Sequence, residues 1–331
     1  LECVPGEFRS PEKVHKVLGV LWDTETDRLL LKIKQFELSG KWDTKRSFLE
    51  FSARIYDPLG LVSPFTTRVK LLFQQVWLAE CEGGKKAKSW DEPLPDLIQE
   101  QWDEIKRDVP NLGVLSFPRC PFSSKGPPKE VEIFAFGDAS QKAYGTAIYL
   151  VGLHEDGEKT THLAFAKSRV APLKMVQQSD EPQTIVRLEL LAALITARAA
   201  SYVRLGIEKR VNVSRVHFFT DSLINLCRIR RGPTKYKLWV ANRIEEILNL
   251  STVEQWHHCP GVINPADLPS RGLSAEELKT STLWWNGPDF IRNDESEWPK
   301  EPEIPVKNDL EVKKTEEDEE DSFLRRFRSL T

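Results

Sequence analysis

Val131-Glu-Ile-Phe-Ala-Phe-Gly-Asp-Ala-Ser140 is an apolar run of strand length that breaks at Gly137, presents one carboxylate at Asp138 and passes at once into small residues. Read as a strand, it delivers that carboxylate to its C-terminal lip, where open α/β sheets keep their functional groups. The same pattern recurs at Arg215-Val-His-Phe-Phe-Thr-Asp-Ser222, a second apolar strand ending in Asp221 and followed by a hydroxyl residue. If the two strands are neighbours, their carboxylates share one edge of the sheet.

Between them lies Arg187-Leu-Glu-Leu-Leu-Ala-Ala-Leu-Ile-Thr-Ala-Arg-Ala-Ala200, a run of good helix formers apolar enough to be buried over most of its circumference. Glu189 is its only acid, and no other Asp or Glu occurs from Gln183 to Ile207. A lone buried carboxylate is costly unless a cation meets it. Downstream of a strand-like Thr252-Val-Glu-Gln-Trp-His257, the loop Pro260-Gly-Val-Ile-Asn-Pro-Ala-Asp-Leu-Pro-Ser-Arg-Gly272 supplies a fourth acid, Asp267. Each acid has a bland reading when taken alone. Asp138 and Asp221 suit turns after strands, Glu189 an ordinary helix, Asp267 a helix cap.

Taken together, Gly137-Asp-Ala-Ser140, Arg187-Leu-Glu-Leu190, Thr220-Asp-Ser222 and Asn264-Pro-Ala-Asp267 resemble the four acidic motifs of retroelement RNase H domains. The version carried by Pao/BEL-type long-terminal-repeat retrotransposons is the most similar, and Arg54-Ile-Tyr-Asp-Pro-Leu-Gly-Leu-Val-Ser-Pro64 resembles the reverse-transcriptase segment before it. The resemblance covers roughly residues 14 to 290.

It implies an RNase H-like α/β fold, a mixed five-stranded sheet with helices on both faces, and hydrolysis of the RNA strand of RNA–DNA hybrids with two Mg²⁺ or Mn²⁺ ions. Asp138 would bridge both ions, Asp267 would complete the ion on the water side, and Glu189 with Asp221 would hold the other. The expected product is an RNA cut with a 3′-hydroxyl.

Two positions depart from the family pattern. The loop from Pro260 to Asp267 lacks the histidine that many relatives use in product release, and His258 reads as structural. Val186 stands where the Pao-type motif often has proline. The family is also filed under an aspartic-peptidase name, but no Asp followed by Ser or Thr and then Gly occurs here, so peptidase chemistry is not expected. The two-aspartate polymerase motif is absent too, and polymerase activity is not expected of this chain. The competing reading is a catalytically silent, retroelement-derived protein that binds nucleic acid or serves as a scaffold.

A length of 331 residues accommodates two domains, each with its own core. A formal net charge of −3 means that any nucleic-acid surface must be local. The stretch from Leu223 to Lys237 meets that need, with Arg228, Arg230, Arg231, Lys235 and Lys237 and no acid, placed just after Asp221. A solvated helix face and turn would read almost the same way. Cys3, Cys81, Cys120, Cys227 and Cys259 form no C-x-x-C pair and suit a reducing compartment. No continuous apolar stretch approaches a membrane span and no leader opens the chain, so no membrane partner is expected; the resemblance implies an intracellular setting, cytoplasmic within a virus-like particle or nuclear.

In order, residues 1–117 read as a palm-end hairpin (Lys16 to Asp23 and Arg28 to Ile33) and a thumb- or connection-like helical region, with helices over Lys45–Ile55, from Ser63, and over Trp90–Arg107. Residues 118–130 read as a linker and 131–290 as the RNase H-like domain. Residues 291–331, with Glu316-Glu-Asp-Glu-Glu-Asp321, read as an acidic disordered tail. The expected partners are the hybrid and, in a longer polyprotein, the upstream palm and fingers of the polymerase.

Overall fold

The computed structural model describes residues 13–17, 20–32, 44–82, 89–122, 125–177, 182–303 and 311–312. Its first elements are short strands β1 (Val14–Val17), β2 (Val20–Asp23) and β3 (Arg28–Lys32), then helices α1 (Lys45–Arg54), α2 (Ser63–Glu82) and α3 (Asp96–Leu112), then β4 (Val114–Pro118). The expected hairpin is present, and β4 adds to β3 to complete an antiparallel sheet in the order β1-β2-β3-β4. Helix α3 starts six residues later than the apolar spacing from Trp90 suggests, because Pro93 and Pro95 keep the preceding backbone extended.

The second sheet is built from β5 (Glu130–Ala139), β6 (Ala143–Leu153), β7 (Lys159–Val170), β8 (Val213–Thr220) and β9 (Trp256–His258). Its order is β7-β6-β5-β8-β9; the first three strands are antiparallel, and β8 and β9 run parallel to β5. This is the mixed five-stranded α/β arrangement expected from the strand-rich start and the later alternation with helices. Thr252 and Gln255 close a capping box that turns residues 253–255 into a 3₁₀ turn, so β9 keeps only three residues of the longer strand expected there.

The parallel step from β7 to β8 requires a long crossover, supplied by the short α4 (Leu173–Val176) and by α5 (Pro182–Ile207). By length and composition α5 could cross a bilayer, contrary to the expectation that no stretch came near that length. Its apolar residues are instead spent on the sheet: Leu190, Ala193, Leu194, Ala197 and Ala200 share a buried cluster with Ile133, Ala135 and Ile148. Each fully buried leucine contributes about 1.5–3 kcal/mol. After β8 come α6 (Leu223–Arg231) and α7 (Leu238–Leu250), which close the same face.

The opposite face is covered by the N-terminal helices. Phe48, Phe65 and Trp102 belong to one buried cluster with Phe134, Phe136, Tyr149 and Phe219 of the larger sheet, so residues 44–117 and that sheet share a core. The Asp57-Pro-Leu-Gly60 segment is the clasp. Asp57 accepts from the Leu61 and Val62 amides at 2.9 and 2.8 Å, and Leu59 O accepts from Ala166 N of the edge strand β7 at 2.8 Å. Gly60, at φ +72°, comes so close to β7 that an added Cβ would lie 1.8 Å from Ala166 O.

Within 118–130, Phe122 is buried and Lys125 pairs with Asp156 and Glu158 of the β6–β7 hairpin. Helices α8 (Asp267–Arg271), α9 (Ala275–Thr280) and α10 (Thr282–Asn286) follow β9, and Trp284 donates to Leu61 O at 2.8 Å. Beyond residue 290, Ile291 is buried and Trp298 lies edge-on to His217 and His257, while residues 293–297 between them are exposed. The acidic block 316–321 lies outside the described residues.

Candidate active site

Four carboxylates arrive at one end of the larger sheet by separate routes. The β5–β8 register pairs Phe136 with Phe219, so Asp138 and Asp221, each two residues further on, leave the sheet side by side. Helix α5 packs so tightly on β5 that a Cβ at Gly137 would lie 2.5 Å from Thr196 Oγ1 and 3.3 Å from Ala192 O. Glu189 stands on the same helical face, one and two turns before those residues. The loop carrying Asp267 is tied to β5 by Asn264, which donates to Gly137 O at 3.1 Å and accepts from Ala266 N at 3.0 Å. Ser140 Oγ then donates to Ser270 O at 2.8 Å, and Ser270 Oγ to Asp138 Oδ2 at 2.7 Å.

The charges act on one another. Burial, then the Asp221 carboxylate, with further contributions from Asp267 and Glu189, push Asp138 up to about 8 against the opposing Ser270 hydrogen bond. Burial pushes Glu189 to about 7, opposed by Ser222, whose hydroxyl donates to Glu189 Oε2 at 2.5 Å. Asp221 is raised by burial as well, and its Oδ1 is buried with no hydrogen-bond partner. Asp267 is turned toward Arg271 Nε at 2.5 Å. With each of the other acids held by a donor of its own, no three His, Cys, Asp or Glu side chains among the described residues are already gathered into a metal-binding cluster.

Among known families, the sequence model described as the Pao retrotransposon-like RNaseH-like domain matches residues 44–222, more than half of the chain. The chain belongs to this family. Its matched region runs from the capping threonine of α1 to Ser222, so the N-terminal helices fall inside the Pao domain. Among solved structures, the Pao chain is similar to the foamy viral protease-reverse transcriptase dRH in complex with double-stranded DNA, with 9% identity, a TM-score of 0.42, and coverage of 75% of this chain and 37% of that one. It is also similar to RNase H1 of the halophilic archaeon Halobacterium salinarum NRC-1, with 15% identity, a TM-score of 0.23, and coverage of 46% and 99%. A third likeness is to LC11-RNase H1 in complex with an RNA/DNA hybrid, with 14% identity, a TM-score of 0.24, and coverage of 41% and 91%. The chain thus spans little more than a third of the foamy viral protein. No curated protein matches it.

Several residues of this Pao-type site carried no individual signal in the sequence. Ser222 and Ser270 are ordinary hydroxyl residues until the fold aims them at Glu189 and Asp138. Ser222 also caps α6, accepting from Asn225 N at 3.4 Å, which holds the hydroxyl in place. Cys259 is fully buried beside the carboxylates, and burial followed by the charges of Asp221 and Asp138 raises its thiol well above the usual range, so it stays protonated. His258 has its Nδ1 buried without a partner, and burial lowers its pKa against the pull of Asp221.

The basic stretch after Asp221 is divided by the fold. Arg231 and Lys235 are exposed. Arg228, expected to grip phosphate, is instead 2% exposed, lying 3.3 Å from Asn225 Oδ1 and near the Tyr236 ring, because its position on α6 faces the core. Arg230 forks onto Glu301 at 2.5 and 2.7 Å, and Lys237 lies 3.9 Å from Glu311.

Proposed function

We propose that this Pao-family domain hydrolyses the RNA strand of RNA–DNA hybrids. The observation that carries the reading is the arrival of Asp138, Glu189, Asp221 and Asp267 at one sheet end, close enough that the other three raise Asp138. Mutually repelling buried carboxylates are stable as a set only with protons or cations among them. Oxygen donors of this kind, one of them the orphaned Asp221 Oδ1, fit a hard divalent ion. Mg²⁺ or Mn²⁺ held by these four residues would neutralise charge and polarise the attacking water and the leaving oxygen.

The remaining work falls to the chain itself. Asp138 holds a proton near neutral pH in the cation-free protein and must release it for its two oxygens to act as ligands. Ser270 and Ser222 orient Asp138 and Glu189 by donating to Oδ2 and Oε2. Asn264 sets the height of the Asp267 loop against the strand end. The exposed Arg231 and Lys235 meet backbone phosphate. The hybrid and an upstream polymerase palm and fingers are the partners in this reading, and the cell interior is its setting.

The deciding experiment is hybrid cleavage by the full chain with Mg²⁺ or Mn²⁺, beside Asp138→Asn and Glu189→Gln. Metal-dependent cleavage lost in both variants supports the reading; cleavage that survives both defeats it. The pairing of Asp267 with Arg271 favours a second reading, a silent nucleic-acid-binding protein. Hybrid binding without cleavage at any divalent concentration would establish that one.

A further inference from the structure

Glu311 is an acid from the C-terminal part of the chain, yet it is only 2% exposed. Such a residue is buried only when it is paired. Its carboxylate accepts from Arg187 Nε at 2.8 Å and from Arg187 Nη2, and it lies 3.9 Å from Lys237 Nζ. The backbone joins in, since Lys237 N donates to Glu311 O at 2.9 Å and Val312 bridges to Tyr236. Ten residues earlier, Glu301 holds Arg230 through both guanidinium nitrogens, at 2.5 and 2.7 Å.

Two of the three captured cations stand on helices that border the candidate site. Arg187 precedes Glu189 by two positions on α5, with its guanidinium 5.4 Å from the Trp239 ring. Arg230 lies on α6, whose cap Ser222 follows Asp221, and Lys237 caps α7. A guanidinium fork that takes a carboxylate through two nitrogens takes a phosphate with the same geometry. The side chains occupied by these two acids are therefore of the kind a nucleic-acid backbone uses, and Arg187 and Arg230 stand on the helix that carries Glu189 and on the helix capped by Ser222.

We propose that Arg187, Arg230 and Lys237 form a track for the sugar–phosphate backbone of the hybrid, and that the C-terminal segment, through Glu301 and Glu311, occupies this track until nucleic acid displaces it. The proposal rests on the ribonuclease reading for the identity of the polyanion. It adds a regulation that reading does not contain: the chain competes with its own substrate.

The test is binding of a fluorescent RNA–DNA hybrid to the full-length chain by anisotropy, over a range of salt and with EDTA present so that no cleavage intervenes. Removing both acids in Glu301→Gln/Glu311→Gln should tighten binding about tenfold at low salt, because cation–phosphate contacts no longer compete with an internal carboxylate. Adding Arg187→Gln and Lys237→Gln to that variant should cancel the gain, whereas the same two changes in the wild type should cost much less. A Glu301→Gln/Glu311→Gln protein with native near-ultraviolet circular dichroism and unchanged or weaker affinity overturns the proposal, as it would if Glu311 merely braced the fold. Should that variant lose its native signal, Glu301→Gln alone decides: about threefold tightening supports the track, and none overturns it. If binding tightens as stated but Mg²⁺ never yields cleavage, the track stands and the ribonuclease reading fails alone.

Discussion

Ser270 Oγ donates to Asp138 Oδ2 at 2.7 Å across 132 positions of sequence, and the same hydroxyl lies 3.0 Å from the Asp267 carbonyl. One small side chain thereby joins the carboxylate at the end of β5 to the turn that carries the fourth acid. It is also the one contact that lowers Asp138 against burial and three neighbouring charges. Ser270→Ala should raise Asp138 further and weaken divalent-ion binding, with a loss on the order of 1.5–3 kcal/mol for a hydrogen bond to a charged acceptor. Mn²⁺ titration of the folded variant by calorimetry checks this; wild-type affinity together with a wild-type pH profile would contradict it.

Asp138 makes the stability of the cation-free protein depend on pH. Its pKa is about 8 in the folded chain against an ordinary 3.8, so the fold retains a proton that the unfolded chain releases. The contribution is complete below about pH 4 and is lost as pH rises toward 8. Asp138→Asn, which mimics the protonated form, should match wild type near pH 4 and exceed it by on the order of a few kcal/mol near pH 8.5 in chelator. Saturating Mg²⁺ should reverse the order, since a ligand at a hundredfold excess over its Kd adds about 2.7 kcal/mol to the protein that binds it. Thermal melts in both conditions measure the effect, and equal midpoints at pH 8.5 without metal would refute it.

Arg228 belongs to the fold rather than to a phosphate surface. Arg228→Met should destabilise the protein by about 2–4 kcal/mol in urea, because Asn225 and Glu189 lose a buried cation that faces them. The salt dependence of hybrid binding by the folded variant should not change. A slope reduced by about one would restore this arginine to the nucleic-acid surface.

Gly137 is demanded by packing, its neighbour Asp138 by charge. Gly137→Ala should cost about 1–3 kcal/mol, since its Cβ would meet Thr196 Oγ1 at 2.5 Å and helix backbone at 3.3 Å. The strain pushes α5 outward, so cleavage should fall more than stability alone explains. Adding Thr196→Ala should recover only part of the stability, because the Ala192 carbonyl stays in place. Full recovery, read by thermal midpoint, would show that the helix backbone tolerates the methyl.

The sheet and the order of its acids were legible because their signals are local. An apolar strand ending in Gly-Asp or Thr-Asp announces itself within ten residues, and the helix carrying Glu189 within fourteen. The basic residues were legible in composition but not in orientation: a helix of nine residues points Arg228 inward and Arg230 outward, and only the packing of α6 selects which. The linker and tail boundaries were drawn from proline, glycine and acid content. That content did not register the burial of Phe122, Ile291 and Glu311 by partners distant in sequence.

The amino-acid sequence by itself determined that this is an α/β chain with four carboxylates on strand, helix, strand and loop, since hydrophobic period and residue type act over neighbouring positions. Only the tertiary structure decided that Ser222 and Ser270 attend those carboxylates, that the N-terminal helices share the sheet's core, and that acids from the C-terminal segment sit on Arg187, Arg230 and Lys237. The side-chain pairings among these link residues from 33 to 132 positions apart, through hydrogen bonds and ion pairs that no local pattern encodes. They exist only after chain folding has brought their partners within a few ångströms.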